Sequence, residues 1–240
     1  MLWPLYLAST ALVALVWLSG FGPGMLADPD FAHRIPNADL RDALGLFSRG
    51  LDPAWVTLGA ISAYLATVRA EGLRAARHWC ILILGAGLLI SIASASIALP
   101  LGPVHYPTNL GWKIGPIPFA LPFLWLLVIL GSRETVLRIC PRASHRASAA
   151  LTGSCCALTS LLLDPLAWKH RAWWLWYPAQ SDAPAVAPWT NHTTWLLAGT
   201  ALALAMRPSQ VAPRITVRPI ASLIVYLSLV AITAVTRLLR

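Results

Sequence analysis

The chain has 240 residues, of which 58% are hydrophobic and only 11% charged, and its mean hydropathy is +0.66. A soluble domain carries about 25% charged residues, so this composition excludes an ordinary soluble enzyme and implies an integral membrane protein. The net charge of +9 does not signal nucleic-acid binding, because the arginines are spread over short connections, as topology determinants and contacts to anionic lipid are, and build no basic patch.

A membrane helix needs about 20 mostly apolar residues. Seven stretches qualify or nearly qualify: Leu2–Gly20, Ala54–Val68, Trp79–Leu99, Ile117–Gly131 with a continuation toward Cys140, Ser148–Leu166, Thr193–Met206 and Pro219–Leu238. The expected fold is an all-α polytopic bundle of about seven helices, forming one domain over residues 1–240 with no separate soluble part. The first stretch lacks a charged leader and reads as a retained helix rather than a cleaved signal peptide. Cys80, Cys140, Cys155 and Cys156 form no CxxC pair, three of them fall in apolar runs, and they read as small buried hydrophobes.

The connection over 21–53 is long. Within it Asn37 can cap a short helix that puts Leu40, Leu44, Phe47 and Leu51 on one stripe and Asp39, Arg41, Asp42 and Arg49 elsewhere. This pattern suits a separate helix lying in the membrane interface. A loop packed on the end of the bundle fits equally well.

The third connection, Leu101–Pro118, is rich in Gly and Pro and should not be helical. It leads into Pro118, Pro122 and Trp125. Pro118 is harmless in a first turn, whereas Pro122 should sit inside the fourth helix and kink it or free a carbonyl. Irregular backbone at membrane depth is tolerated where it is buried in protein or lines a cavity, so this loop should form one wall of a pocket.

The other wall should come from Leu161–Pro178. Here Asp164 and Pro165 fall where the fifth helix should stop, and Trp168, Trp173, Trp174 and Trp176 follow around Lys169, His170 and Arg171. Asn191, at the start of the sixth helix, reads as its N-cap. Counting Lys and Arg places Arg69, Arg74 and Arg77, then Arg133, Arg138, Arg142 and Arg146, then Arg207, Arg214 and Arg218 on one side. The other side has Lys113, then Lys169 and Arg171, and a first connection whose arginines are diluted by five aspartates. The expected topology is N-terminus inside, with the third and fifth connections together on the outer face.

At these residues the chain resembles a known family, the integral-membrane carotenoid biosynthesis proteins that include the carotenoid 1,2-hydratases of bacterioruberin and myxol-type pathways. Three blocks carry the resemblance: HYPTNLGWKIGPIPFALPFLW from His105 to Trp125, Asp164-Pro165 followed by Trp174-Leu-Trp176, and Pro188…Asn191…Trp195. The segment LGSRETVLRICPR between the first two is also similar, and the resemblance covers about residues 99–199. It implies hydro-lyase chemistry, in which water adds across the terminal C1=C2 double bond of an acyclic carotenoid or another apolar isoprenoid, with no cofactor and no metal. It also implies the bacterial cytoplasmic membrane, with lipid and other membrane enzymes of the pathway as neighbours, and the charge count then makes the N-terminus cytoplasmic.

Such a reaction needs a buried carboxylic acid that can protonate the alkene, aromatic faces that stabilise the resulting cation, and a positioned water. Asp164 is the candidate acid. His105 and Asn191 complete the candidate catalytic set as groups that orient water, and Tyr106, Trp125, Trp173, Trp174, Trp176 and Trp195 are the candidate substrate-binding residues. Simpler roles stand beside these: Asp164-Pro165 ends a helix with its carboxylate solvated or paired to Lys169 or Arg171, and tryptophans at this depth form interfacial belts. The chain also departs from the family in offering Ser91, Ser94 and Ser96 in the third helix, Ser160 one turn before Asp164, and Asn109 at positions where acids are expected. Those losses favour the alternative of a non-enzymatic carotenoid-binding or scaffold subunit. The six histidines form no HxxxH or HxxHH pair, against a di-iron oxygenase, and the lack of a charged relay in the helix centres argues against a transporter.

Overall fold

The computed structural model describes residues 2–19, 21, 35, 37–177, 186–207 and 221–238. Residues 22–34, 178–185 and 208–220, which enter the charge count for the connections, lie outside the described residues. Seven α-helices are described: α1 Trp3–Leu18, α2 Ala38–Glu71, α3 Leu73–Ile97, α4 Ala120–Ile139, α5 His145–Pro165, α6 Trp189–Ala205 and α7 Ala221–Leu238. The fold is the all-α bundle expected from the apolar runs. By length and composition α2, α3, α4 and α5 with its extension to His170 can each cross a membrane, and α1 and α7 contain shorter apolar helices.

The second helix corrects the sequence reading. Asn37 caps a helix as expected, its Oδ1 accepting from the Leu40 amide at 3.1 Å. That helix is not a separate interfacial element, however. It continues through Pro53 to Glu71, 34 residues in all, or about 50 Å at 1.5 Å per residue. An interior proline lacks its N–H and crowds the carbonyl four residues back, and burial of Trp55, Val56 and Asp52 holds the helix together across that break. Leu40 and Phe47 stay exposed on the expected stripe, while Leu44 and Leu51 are half-buried.

Pro122 gives the opposite correction. Helix α4 begins at Ala120, so Pro122 falls in the first turn, where a missing N–H costs nothing, and Pro118 lies outside the helix. No kink follows from it. Helix α4 is apolar nearly all round and buried over most of its length, as expected of a helix at the centre of a bundle, and it packs on α2, α3, α5 and α7.

Small residues permit the closest helix contacts. A Cβ added to Gly153 in α5 would run into the Leu196 carbonyl and the Thr200 amide of α6, and Gly199 meets Cys156 from the other side, the packing expected where helices associate without a hydrophobic driving force. At the far end of the bundle Arg133 of α4 pairs with Glu71 of α2 at 3.3 Å and lies 4.6 Å over the Trp79 ring.

The third connection is non-helical apart from a 3-10 turn at Thr108–Leu110. It contains β1 Val104–His105, β2 Lys113–Ile114 and β3 Ile117–Pro118. Strands β2 and β3 form a hairpin, and β1 pairs antiparallel with β4, Leu175–Trp176, in the fifth connection. The register is Val104↔Trp176 and His105↔Leu175, extended by the Tyr177 amide donating to the Pro103 carbonyl at 3.1 Å. The two irregular connections are thereby joined. Gly111, at φ +86°, seats this loop against the ring of Pro53 in α2, 3.0 Å from where its Cβ would be.

Candidate functional site

Asp164 occupies the last turn of α5 and is 3% exposed. The chain does not stop at Pro165. It runs on as a π-turn, Leu166–His170, in which the Arg171 amide donates to the Leu166 carbonyl at 3.0 Å. The Trp173 amide then donates to the Ala167 carbonyl at 2.7 Å, and between them Ala172 takes a left-handed φ of +46°. This reversal sends the following extended segment back over the end of α5. Side chains two apart in extended backbone share a face, and Trp174 and Trp176 are so placed. Both indole Nε1–H groups donate to Oδ1 of Asp164, each at 2.9 Å. Oδ2 takes no hydrogen bond among the described residues. Neither Lys169 nor Arg171 pairs with Asp164.

Asn191 does not cap α6. Pro188 holds the N-cap position, and Asn191 lies inside the first turn, 3% exposed, with its amide bonded to the Pro188 carbonyl. This frees its side chain to point inward, where Nδ2 donates to Ser160 Oγ at 3.3 Å. Ser160 also bonds His192 Nδ1 at 2.8 Å. Ser160 and Asp164 are four apart in α5 and so lie on one face of it. The structure therefore brings Asn191 and His192 onto Ser160, which stands one helical turn before Asp164.

Trp125 and Trp195 stack face to face, 3.7 Å between centroids and 12° from parallel. Trp125 lies against Gly87 of α3, where any Cβ would meet its ring. Tyr106 is buried and faces Ser91, and burial pushes its phenol pKa well above the usual value, so its hydroxyl keeps its proton. His105 is not brought to Asp164. It is exposed on β1, its ring edge-on to Tyr177 at 6.4 Å.

Trp173 belongs to a second carboxylate that sequence reasoning missed. Its indole donates to Oδ2 of Asp52 at 2.8 Å, as does Arg171 Nε at 2.8 Å, while Trp17 donates to Oδ1 at 3.0 Å. Asp52 is 1% exposed. The signal was present in Asp52-Pro53, followed by Trp55, which repeats the Asp-Pro and tryptophan grouping of Asp164. In the sequence it is hidden, because Asp52 reads as one of the five aspartates of a long loop.

The serines that stand where acids were expected are engaged locally. Ser91 donates to the Gly87 carbonyl at 2.7 Å, and Ser94 accepts from the Leu101 amide at 3.0 Å. Asn109 donates to the Arg171 carbonyl at 3.4 Å. Among the described residues no group of three or more His, Cys, Asp or Glu could hold a metal ion.

Comparison with known proteins gives one result. A family model described as "Carotenoid biosynthesis protein" matches residues 51–240. No curated protein and no solved structure matches the chain significantly.

Proposed function

The chain belongs to the carotenoid biosynthesis protein family, and from that premise we propose that it hydrates the terminal C1=C2 double bond of an acyclic carotenoid, with Asp164 as general acid. The observation that carries this reading is the hydrogen-bond pattern of the carboxyl. Two neutral donors end on Oδ1, and Oδ2 is left without a partner among the described residues, which suits a carboxyl that presents a proton from Oδ2.

The step balances without a redox partner. The Oδ2 proton passes to C2 of the alkene, and the π electrons form the new C–H bond. The positive charge is left on the tertiary carbon C1. Water attacks C1, and its surplus proton returns to the Asp164 carboxylate, leaving a tertiary alcohol. Indole faces stabilise a desolvated cation by about 2 kcal/mol or more each, a role for Trp174, Trp176 and the Trp125–Trp195 pair. Asn191, Ser160 and His192 form the polar set that orients water beside Asp164. Tyr106 lines the wall supplied by the third connection.

The reading is tested by expressing the protein in a bacterial host that accumulates lycopene, and by incubating membranes that contain the protein with unlabelled lycopene in D₂O. The expected pigment is heavier by one water and, in D₂O, carries one non-exchangeable deuterium at C2. Absence of any hydrated pigment, with the protein confirmed in the membrane, would overturn it. The replacement of expected acids by Ser91, Ser94 and Ser160 supports a second reading, a carotenoid-binding subunit without catalysis. That reading predicts co-purification of unmodified pigment instead.

A further inference from the structure

We propose that Asp52 is a positioning residue for Asp164, holding the left-handed turn at Ala172 that returns Trp174 and Trp176 onto the acid. The role in turnover rests on the reading of Asp164 given above, whereas the role in holding the turn does not.

Asp52 cannot itself serve as acid or base in the arrangement seen. Both of its oxygens are engaged, Oδ1 by Trp17 and Oδ2 by Arg171 and Trp173. Its three donors come from α1 and from the two residues that flank Ala172. An alanine disfavours a φ of +46° because its Cβ crowds the carbonyl, so this turn needs an outside hold. Oδ2 of Asp52 supplies one by accepting from both flanks at 2.8 Å. Other contacts secure the same point: Arg171 Nη1 donates to the Phe21 carbonyl at 3.1 Å, and Asn109 binds the Arg171 carbonyl.

The geometry then passes directly to the acid. Trp173 and Trp174 are consecutive, their rings 6.0 Å apart and 61° from parallel, and they serve different carboxylates. With Trp173 fixed on Asp52, the next indole is directed toward Asp164 and the one two residues later follows it. Loss of the hold lets the turn relax to a right-handed or extended conformation and carries both donors off Oδ1.

The test uses the full-length protein in membranes. In Asp52→Asn, hydrogen–deuterium exchange should rise over residues 171–177, where the Arg171, Trp173 and Tyr177 amides are bonded, while the centre of α4 stays protected. Turnover at saturating lycopene should fall by about tenfold to a hundredfold, as expected when a reacting group is displaced by about 1 Å, with little change in KM.

Asp52→Asn/Ala172→Gly should regain part of that turnover, because glycine takes the left-handed conformation without steric cost. Ala172→Gly alone should remain close to the wild type. Trp173→Phe, which removes one donor and keeps the ring, provides a milder variant and should show the same changes at smaller size. Unchanged exchange over 171–177 in both Asp52→Asn and Trp173→Phe would overturn the proposal. So would turnover that falls only in proportion to folded protein and is not restored by Ala172→Gly. If the wild type yields no hydrated pigment, the reading of Asp164 fails separately, and exchange alone decides whether Asp52 holds the turn.

Discussion

An indole N–H is a donor that neither carries charge nor accepts a proton, so Trp174 and Trp176 can orient the Asp164 carboxyl without competing for its proton. Asp52 has a guanidinium partner as well as two indoles. The two buried aspartates each precede a proline and each meet tryptophans, yet they differ in whether an oxygen is left over. Replacing either Trp174 or Trp176 by Phe keeps the ring and deletes one hydrogen bond to a buried acceptor, a loss of about 1–2 kcal/mol. Turnover should fall roughly 5- to 30-fold in each variant, and further in the double variant. Pigment yield normalised to membrane protein measures this, and unchanged yield in the double variant would remove the indoles from the mechanism.

At the scale of elements, the helices were legible because long apolar runs have one stable solution in a bilayer. Their ends were less so. Pro53 reads locally as a boundary, but packing of Asp52 and Trp55 carries α2 through it. Pro122 reads as an interior kink, but the non-helical pairing of Lys113 with Pro118 delays the start of α4. Asn191 reads as a cap, but Pro188 took that place and turned Asn191 inward. The division of Trp173 from Trp174 was not legible at all, because it follows from an alanine in a left-handed turn, where no glycine marks the position.

Element contacts also carry an energetic prediction. Glu71 and Arg133 join the end of α2 to α4 in a buried pair, their side chains 6% and 8% exposed. Breaking such a pair by removing one partner leaves a buried charge, at a cost of about 3–5 kcal/mol. Glu71→Gln should lower the melting temperature in detergent clearly, and Glu71→Gln/Arg133→Met should recover much of the loss. Equal losses in the single and double variants would show that packing, rather than the stranded charge, sets the cost.

Across the whole molecule, the β1–β4 ribbon joins the third and fifth connections at one end of the bundle, while Arg133 and the arginines of the second and fourth connections lie toward the other. From the charge count the ribbon end is expected outside. In a cysteine-free background, Trp112→Cys, at a side chain 87% exposed, should react with an impermeant thiol reagent in intact cells with the outer surface accessible. Arg142→Cys, also exposed, should react only after permeabilisation. The reverse pattern would invert the topology, and labelling of both from one side would contradict the alternation of connections on which the outer placement of the site depends.

The central claim concerns one proton on one carboxyl, and Asp164→Asn tests it most directly, since it keeps the shape and a hydrogen-bond acceptor while removing the acid. Wild type and variant would be expressed side by side in the lycopene-producing host, with membrane levels matched and pigments separated by chromatography and mass spectrometry. The account predicts a hydrated pigment from the wild type and a loss of about 100-fold or more in the variant, the range expected for a general acid. Equal amounts of hydrated pigment from both would contradict it and take Asp164 out of the chemistry.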